Sequence, residues 1–187
     1  MAILNRLFAA KNPPDQTEAI LGKYLDADFR VFPMAKGRQS PDQLNAIGQK
    51  HGVVYPPEFS AHVCGQFLGI FVEVEEEVWP RPKEYDVGPF WSFLYALHTF
   101  TPATDSEPWM RLDDAATKLR TESGLLAAPI LRIVGDADLF CIDPEGQLVH
   151  YRHETNELEP VSLTFWELFE REIAELRSRK DRKKASE

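Results

Sequence analysis

Apolar positions in the early part of the chain recur at helical spacing and then switch to every second residue. Thr17 to Leu25 sets Ala19, Ile20 and Tyr24 on one side of a predicted helix, behind an Asn12-Pro13-Pro14 break that ends a shorter one. Ser40-Pro41-Asp42-Gln43 places a capping hydroxyl before a first-turn proline, with Leu44 and Ile47 following on one face, and predicts a helix ending near Gly52. Pro56-Pro57-Glu58 starts a further short helix whose Phe59 and Val63 sit one turn apart. From Leu68 the period is two. Leu68, Ile70, Val72, Val74 and Val78 point one way, and Phe71, Glu73, Glu75 and Glu77 the other, as in a half-buried strand. Three prolines between Trp79 and Pro89 mark a loop, and Phe90 to His98 reads as a second, more fully buried strand.

Between Thr104 and Gly124 the helical period returns, with Trp109, Leu112, Ala116 and Leu119 along one side. Pro129 to Val134, Asp138 to Ile142, Leu148 to His153 and Glu157 to Val161 then read as strands. Asp143-Pro144-Glu145-Gly146 carries the signature of a type I turn, and Glu154-Thr155-Asn156 makes the next turn. Thr164-x-x-Glu167 is a capping box opening a final helix striped by Phe165, Leu168, Phe169, Ile173 and Leu176. This order predicts an α+β fold in which helices pack on an antiparallel sheet of mostly meander connection. Three parts are expected: a helical extension over 1–39, the α+β domain over 40–176, and a basic, disordered tail over 177–187.

Composition narrows the function classes without naming one. In 187 residues, 21 Lys and Arg face 30 Asp and Glu, for a net charge of −9. The tail holds six cations against Asp181 and Glu187, so residues 1–176 carry −13. A nucleic-acid partner is therefore not expected, since phosphate calls for a cationic face. The basic tail instead suits a helix C-terminus. No apolar run approaches a membrane span, and Asn5 and Arg6 interrupt the apolar start of the chain before a signal-peptide core forms, so a cytoplasmic protein is expected. Cys64 and Cys141, the two cysteines, are too few for a disulfide framework and read as core residues.

No catalytic, metal or cofactor motif emerges. His51, His62, His98, His150 and His153 lack metal-ligand spacing, and His150 and His153, three apart on a strand, face opposite sides. The ten glycines are scattered, with no Walker loop, G-x-G-x-x-G or G-x-S-x-G. Two carboxylate groups remain. Glu73, Glu75 and Glu77 would alternate at roughly 7 Å along one strand face, either as a solvated face or as a docking stripe for a cationic partner. Asp136, Asp138 and Asp143 bracket turns, where Asp bonds neighbouring backbone, the alternative being a cation site that falls short of calcium's ligand count. Trp79, Tyr85, Phe90 and Trp91 flank the proline loop as candidate binding anchors or as core plugs.

Gly135-Asp136-Ala137-Asp138-Leu139-Phe140-Cys141-Ile142-Asp143 is similar to the Gly-Asp-Gly-Asp strand entry of the SUKH superfamily, the Smi/Knr type, with Ala137 in place of the second glycine. Pro56-Pro57-Glu58-Phe59 is similar to that family's Leu-Pro-x-x-Phe helix start. Gly146, His153-Glu154-Thr155 and the stretch Val161 to Phe169 fit its ending in order and spacing. Cys64-Gly65-Gln66-Phe67 departs from the glycine-rich bend that often follows that helix. The resemblance spans about residues 40–175 and implies a non-enzymatic protein-binding domain, in the bacterial branch an immunity protein that occludes a cognate toxin, often a nuclease. A basic toxin domain is then the expected partner, steered in by Glu73, Glu75, Glu77, Asp136 and Asp138 and gripped by Trp79, Tyr85 and Trp91. The alternatives are a regulatory or scaffolding adaptor with no toxin partner and, more remotely, a hydrolase.

Overall fold

A computed structural model describes residues 15–37, 39–82 and 90–186. Its centre is a seven-stranded sheet in the order β1-β2-β3-β4-β5-β6-β7, every neighbouring pair antiparallel. The strands are β1 (Phe29–Pro33), β2 (Ile70–Val74), β3 (Ala96–Thr99), β4 (Ala128–Ile133), β5 (Leu139–Ile142), β6 (Leu148–Arg152) and β7 (Glu157–Pro160). The helices are α1 (Gln16–Tyr24), α2 (Pro41–His51), α3 (Pro57–Val63), α4 (Leu112–Ser123) and α5 (Phe165–Ala185). The fold is α+β, with the helices packed on an antiparallel meander. Among the described residues, no helix is long and apolar enough to cross a membrane.

The local signals place the elements as read. Ser40 accepts a hydrogen bond from the Gln43 amide at the start of α2, and Thr164 and Glu167 satisfy each other's backbone amides at the start of α5. The Gly146 amide closes the turn onto the Asp143 carbonyl at 3.0 Å. On one sheet face Ile70, Val72, Val74 and Leu97 are wholly buried against Phe59 and Val63 of α3 and the α5 stripe. The five stripe residues alone contribute on the order of 10 kcal/mol of apolar burial, an upper figure. On the other face Cys141, Val149 and Tyr151 form a smaller cluster with Leu119 of α4.

Five expectations are corrected. The extension over 1–39 is not separate: β1 pairs with β2 along its whole length and α1 packs on α5, contacts that no local pattern announces. The segment before Asn12 lies outside the described residues. The tail is not disordered, because α5 continues to Ala185 and its charges are used. Lys180, only 2% exposed, holds Asp26, Asp28 and Asp181 at 2.9, 3.1 and 2.8 Å, while Arg177 and Lys184 bind the same loop. The strand expected from Leu68 to Val78 stops at Val74, since the amides of Val78 and Trp79 turn back onto the Glu75 carbonyl. Phe90 to Phe93 form a 3-10 turn ahead of the short β3, because the neighbouring strands supply a ladder only from Ala96. Finally, the helix expected from Thr104 breaks at Pro108 to Met110. There Thr101 bonds the Met110 carbonyl and the Leu112 amide and draws Arg111 into an extended bridge.

Lys180→Ala should lower stability by about 2 kcal/mol, less than the roughly 3–5 kcal/mol of a wholly buried pair. Asp26 and Asp181 stay partly wet, and Arg177 and Lys184 still neutralise the loop. Urea unfolding beside the exposed Lys118→Ala checks it, and equal midpoints would show that the Lys180 cluster contributes nothing.

Candidate functional site

The predicted carboxylate ladder does not form. Glu73 is 13% exposed and is clamped by Arg30 at 2.7 Å and Arg81 at 2.9 Å, and Glu75 lies 3.3 Å from the Arg30 Nε as an ion pair without a hydrogen bond. Glu77 sits exposed in the turn after β2. Trp79 is buried and donates its indole N–H to the Ser92 carbonyl at 3.0 Å, so it plugs the core. Tyr85 and the Trp91 side chain lie outside the described residues.

Asp136 accepts the Asp138 amide at 3.0 Å, and Asp138 accepts the His153 amide at 2.8 Å and Arg152 at 3.1 Å. Partial burial opposes ionisation of Asp138, but these donors outweigh it and hold its pKa below the ordinary carboxylate range. Both aspartates organise turns. The named residues are therefore scattered over a turn, a core plug and two ion-pair clusters.

The reactive side chains are also engaged. His62 is buried between the Thr17 and Thr99 hydroxyls at 2.9 and 2.8 Å, and burial pushes its pKa down to about 3. Burial pushes the Cys141 thiol up, and the half-buried Cys64 likewise. His51 pairs with Asp113 at 2.6 Å, and His150 stacks on Phe140 at 4.4 Å. Among the described residues no three His, Cys, Asp or Glu side chains converge as metal ligands.

What the fold does assemble lies on the sheet face opposite α5. The ladder sets Phe32, Phe71, His98 and Arg132 side by side across β1 to β4, because antiparallel partners share a face. Trp109, released by the helix break at Pro108, stands edge-on over Phe71 at 6.0 Å and over His98 at 5.2 Å. Phe32 is 42% and Trp109 49% exposed, while His98 beneath is 1% exposed. The loop carrying Asp105 and Glu107 is tied to Met34, the residue after β1, by Ser106, which donates to the Met34 carbonyl. Both acids are exposed and make no ion pair among the described residues.

On the other side of Trp109 the same face opens into a cleft of about 410 Å³ between α4 and the strands β4 to β6. Phe100, Leu119, Leu139 and Tyr151 give it apolar walls, and Arg132 reaches into it. The alternation Leu131-Arg132-Ile133 marks Arg132 only as the wet face of a strand. Its neighbours follow from the pairing register, which no local signal carried. Trp109 fits a helical stripe by spacing alone, and the break at Pro108 to Met110 takes it out of that stripe.

The fold thus defines the class, an α+β domain whose open sheet face carries an aromatic patch and an adjoining cleft. No protein-family model, curated protein or solved structure matches this chain.

Proposed function

We propose that this chain is a non-enzymatic protein-binding domain that docks a basic partner on the patch formed by Phe32, Phe71, Pro108 and Trp109. The observation that carries this is the meeting of two strongly exposed aromatic side chains around Phe71, rimmed by the unpaired carboxylates of Asp105 and Glu107. Aromatic anchors with a charged rim suit affinity and steering respectively, and the net charge of −9 favours approach by a cationic surface. With the SUKH resemblance, the specific role is that of an immunity protein occluding a cognate toxin. A regulatory or scaffolding adaptor would use the same patch.

The test uses the native host. One basic protein should be retained by the wild-type chain and lost by Phe32→Ser. Its association rate at low salt should fall about tenfold with Asp105→Lys and Glu107→Lys together. Retention by both variants would remove this face from the interface. Restored growth when the retained protein is expressed as a toxin separates the immunity role from the adaptor role.

A further inference from the structure

We propose that the cleft beside Arg132 binds a small organic carboxylate with an aromatic body. Every other charge at its mouth is matched: Asp114 faces Arg111 at 3.7 Å and Lys118 faces Glu122 at 3.9 Å. Arg132 makes no ion pair or hydrogen bond among the described residues, and its Nε–H is buried without a partner. Directly across the ladder, the buried His98 also leaves Nδ1 unpartnered. Two unsatisfied polar atoms on adjacent strands are costly to bury. They lie on the sheet face that opens into the cleft.

Ligand chemistry follows from the lining. A guanidinium presents a planar fork that a carboxylate oxygen pair matches in two parallel bonds. Asp114 and Glu122 stand at the mouth, so a singly charged anion fits better than a phosphate dianion. The Trp109 indole and the Phe100, Leu119, Leu139 and Tyr151 walls suit a flat apolar body, and about 410 Å³ accommodates a molecule of that size. Burial, and secondarily Arg132, lowers the His98 pKa to about 4, so at neutral pH the imidazole adds no second positive charge.

Phenylacetate is the probe and phenylacetamide, the same ring without charge, its control. Binding to the full chain is followed by tryptophan fluorescence against a Trp109→Phe baseline and by the Arg132 Nε–H resonance. Saturable binding is expected, with the amide at least about tenfold weaker. Arg132→Met should abolish binding while leaving the urea midpoint unchanged or raised, because an unpaired buried group has been removed. Arg132→Lys, which keeps the charge and loses the fork, should bind weakly. Lack of saturation up to about 10 mM, equal binding of acid and amide, or undiminished binding by Arg132→Met would overturn the proposal. So would binding of an acidic peptide where phenylacetate fails. No partner protein enters this test, so it stands or falls apart from the docking patch.

Discussion

His62→Ala is expected to destabilise the protein by about 3–5 kcal/mol, with a matching fall in the urea midpoint at pH 7. The imidazole ties α1 to the paired strands β2 and β3. Nδ1 faces Thr17 of α1, Nε2 faces Thr99 of β3, and the Thr99 oxygen also accepts the Ile70 amide of β2 at 3.0 Å. Phe165 and Phe169 of α5 surround the ring at 5.3 and 5.0 Å. Alanine removes the ring, strips the buried Thr17 hydroxyl of its imidazole partner and leaves Thr99 with the Ile70 amide alone.

The same residue sets the response to acid. Its folded pKa, about 3, lies below the unfolded value of about 6.5. Between those limits the unfolded chain binds a proton that the folded one refuses. Stability therefore declines as pH falls through that window, by up to about 1.4 kcal/mol per pH unit. His98, at about 4, acts in the same direction over a narrower range. Asp28, held low by Lys184 and Lys180, adds its loss only below the ordinary carboxylate range. His62→Gln should flatten the decline between pH 6.5 and 4. An identical slope in wild type and variant would place the acid sensitivity elsewhere.

Gly135→Ala is expected to cost about 2–5 kcal/mol, from a strained torsion and a collision together. The residue turns the chain from β4 to β5 at φ +87°, and a Cβ there would lie 2.5 Å from the Phe93 Cβ and 2.8 Å from the Phe93 carbonyl oxygen. Phe93 is held against this turn because the Val134 amide bonds the Ala96 carbonyl. Gly124→Ala separates the two contributions. Its φ of +76° is similar but open space surrounds it, so only the torsional cost of about 1–2 kcal/mol should remain. Equal denaturation midpoints for the two variants would show that the Phe93 contact is soft.

Turn and cap chemistry acts over a few residues, so Ser40, the Asp143 to Gly146 turn and the Thr164 box could be read directly. The helix and strand periods likewise gave the α+β class. Pairing acts over long separations. Nothing near Phe29 to Pro33 announces an edge strand, because its partner is β2. Glu73 looks like a wet carboxylate until Arg30 and Arg81, brought in by β1 and by the turn beyond β2, close on it. The aromatic patch and Arg132 were hidden for that reason. Their residues are ordinary along the chain and become a site only across the ladder.

In this meander each strand after the first finds its neighbour already synthesised, so the sheet is able to grow in step with emergence from the ribosome. The α5 part of the layer that shields its greasy side arrives later. A nascent polypeptide that has emerged only as far as Pro160 has all seven strands but lacks Phe165, Leu168, Phe169, Ile173 and Leu176. Until α5 follows, Val72, Val74 and Leu97 stay sticky, and this is the interval in which chaperone capture or self-association competes with folding.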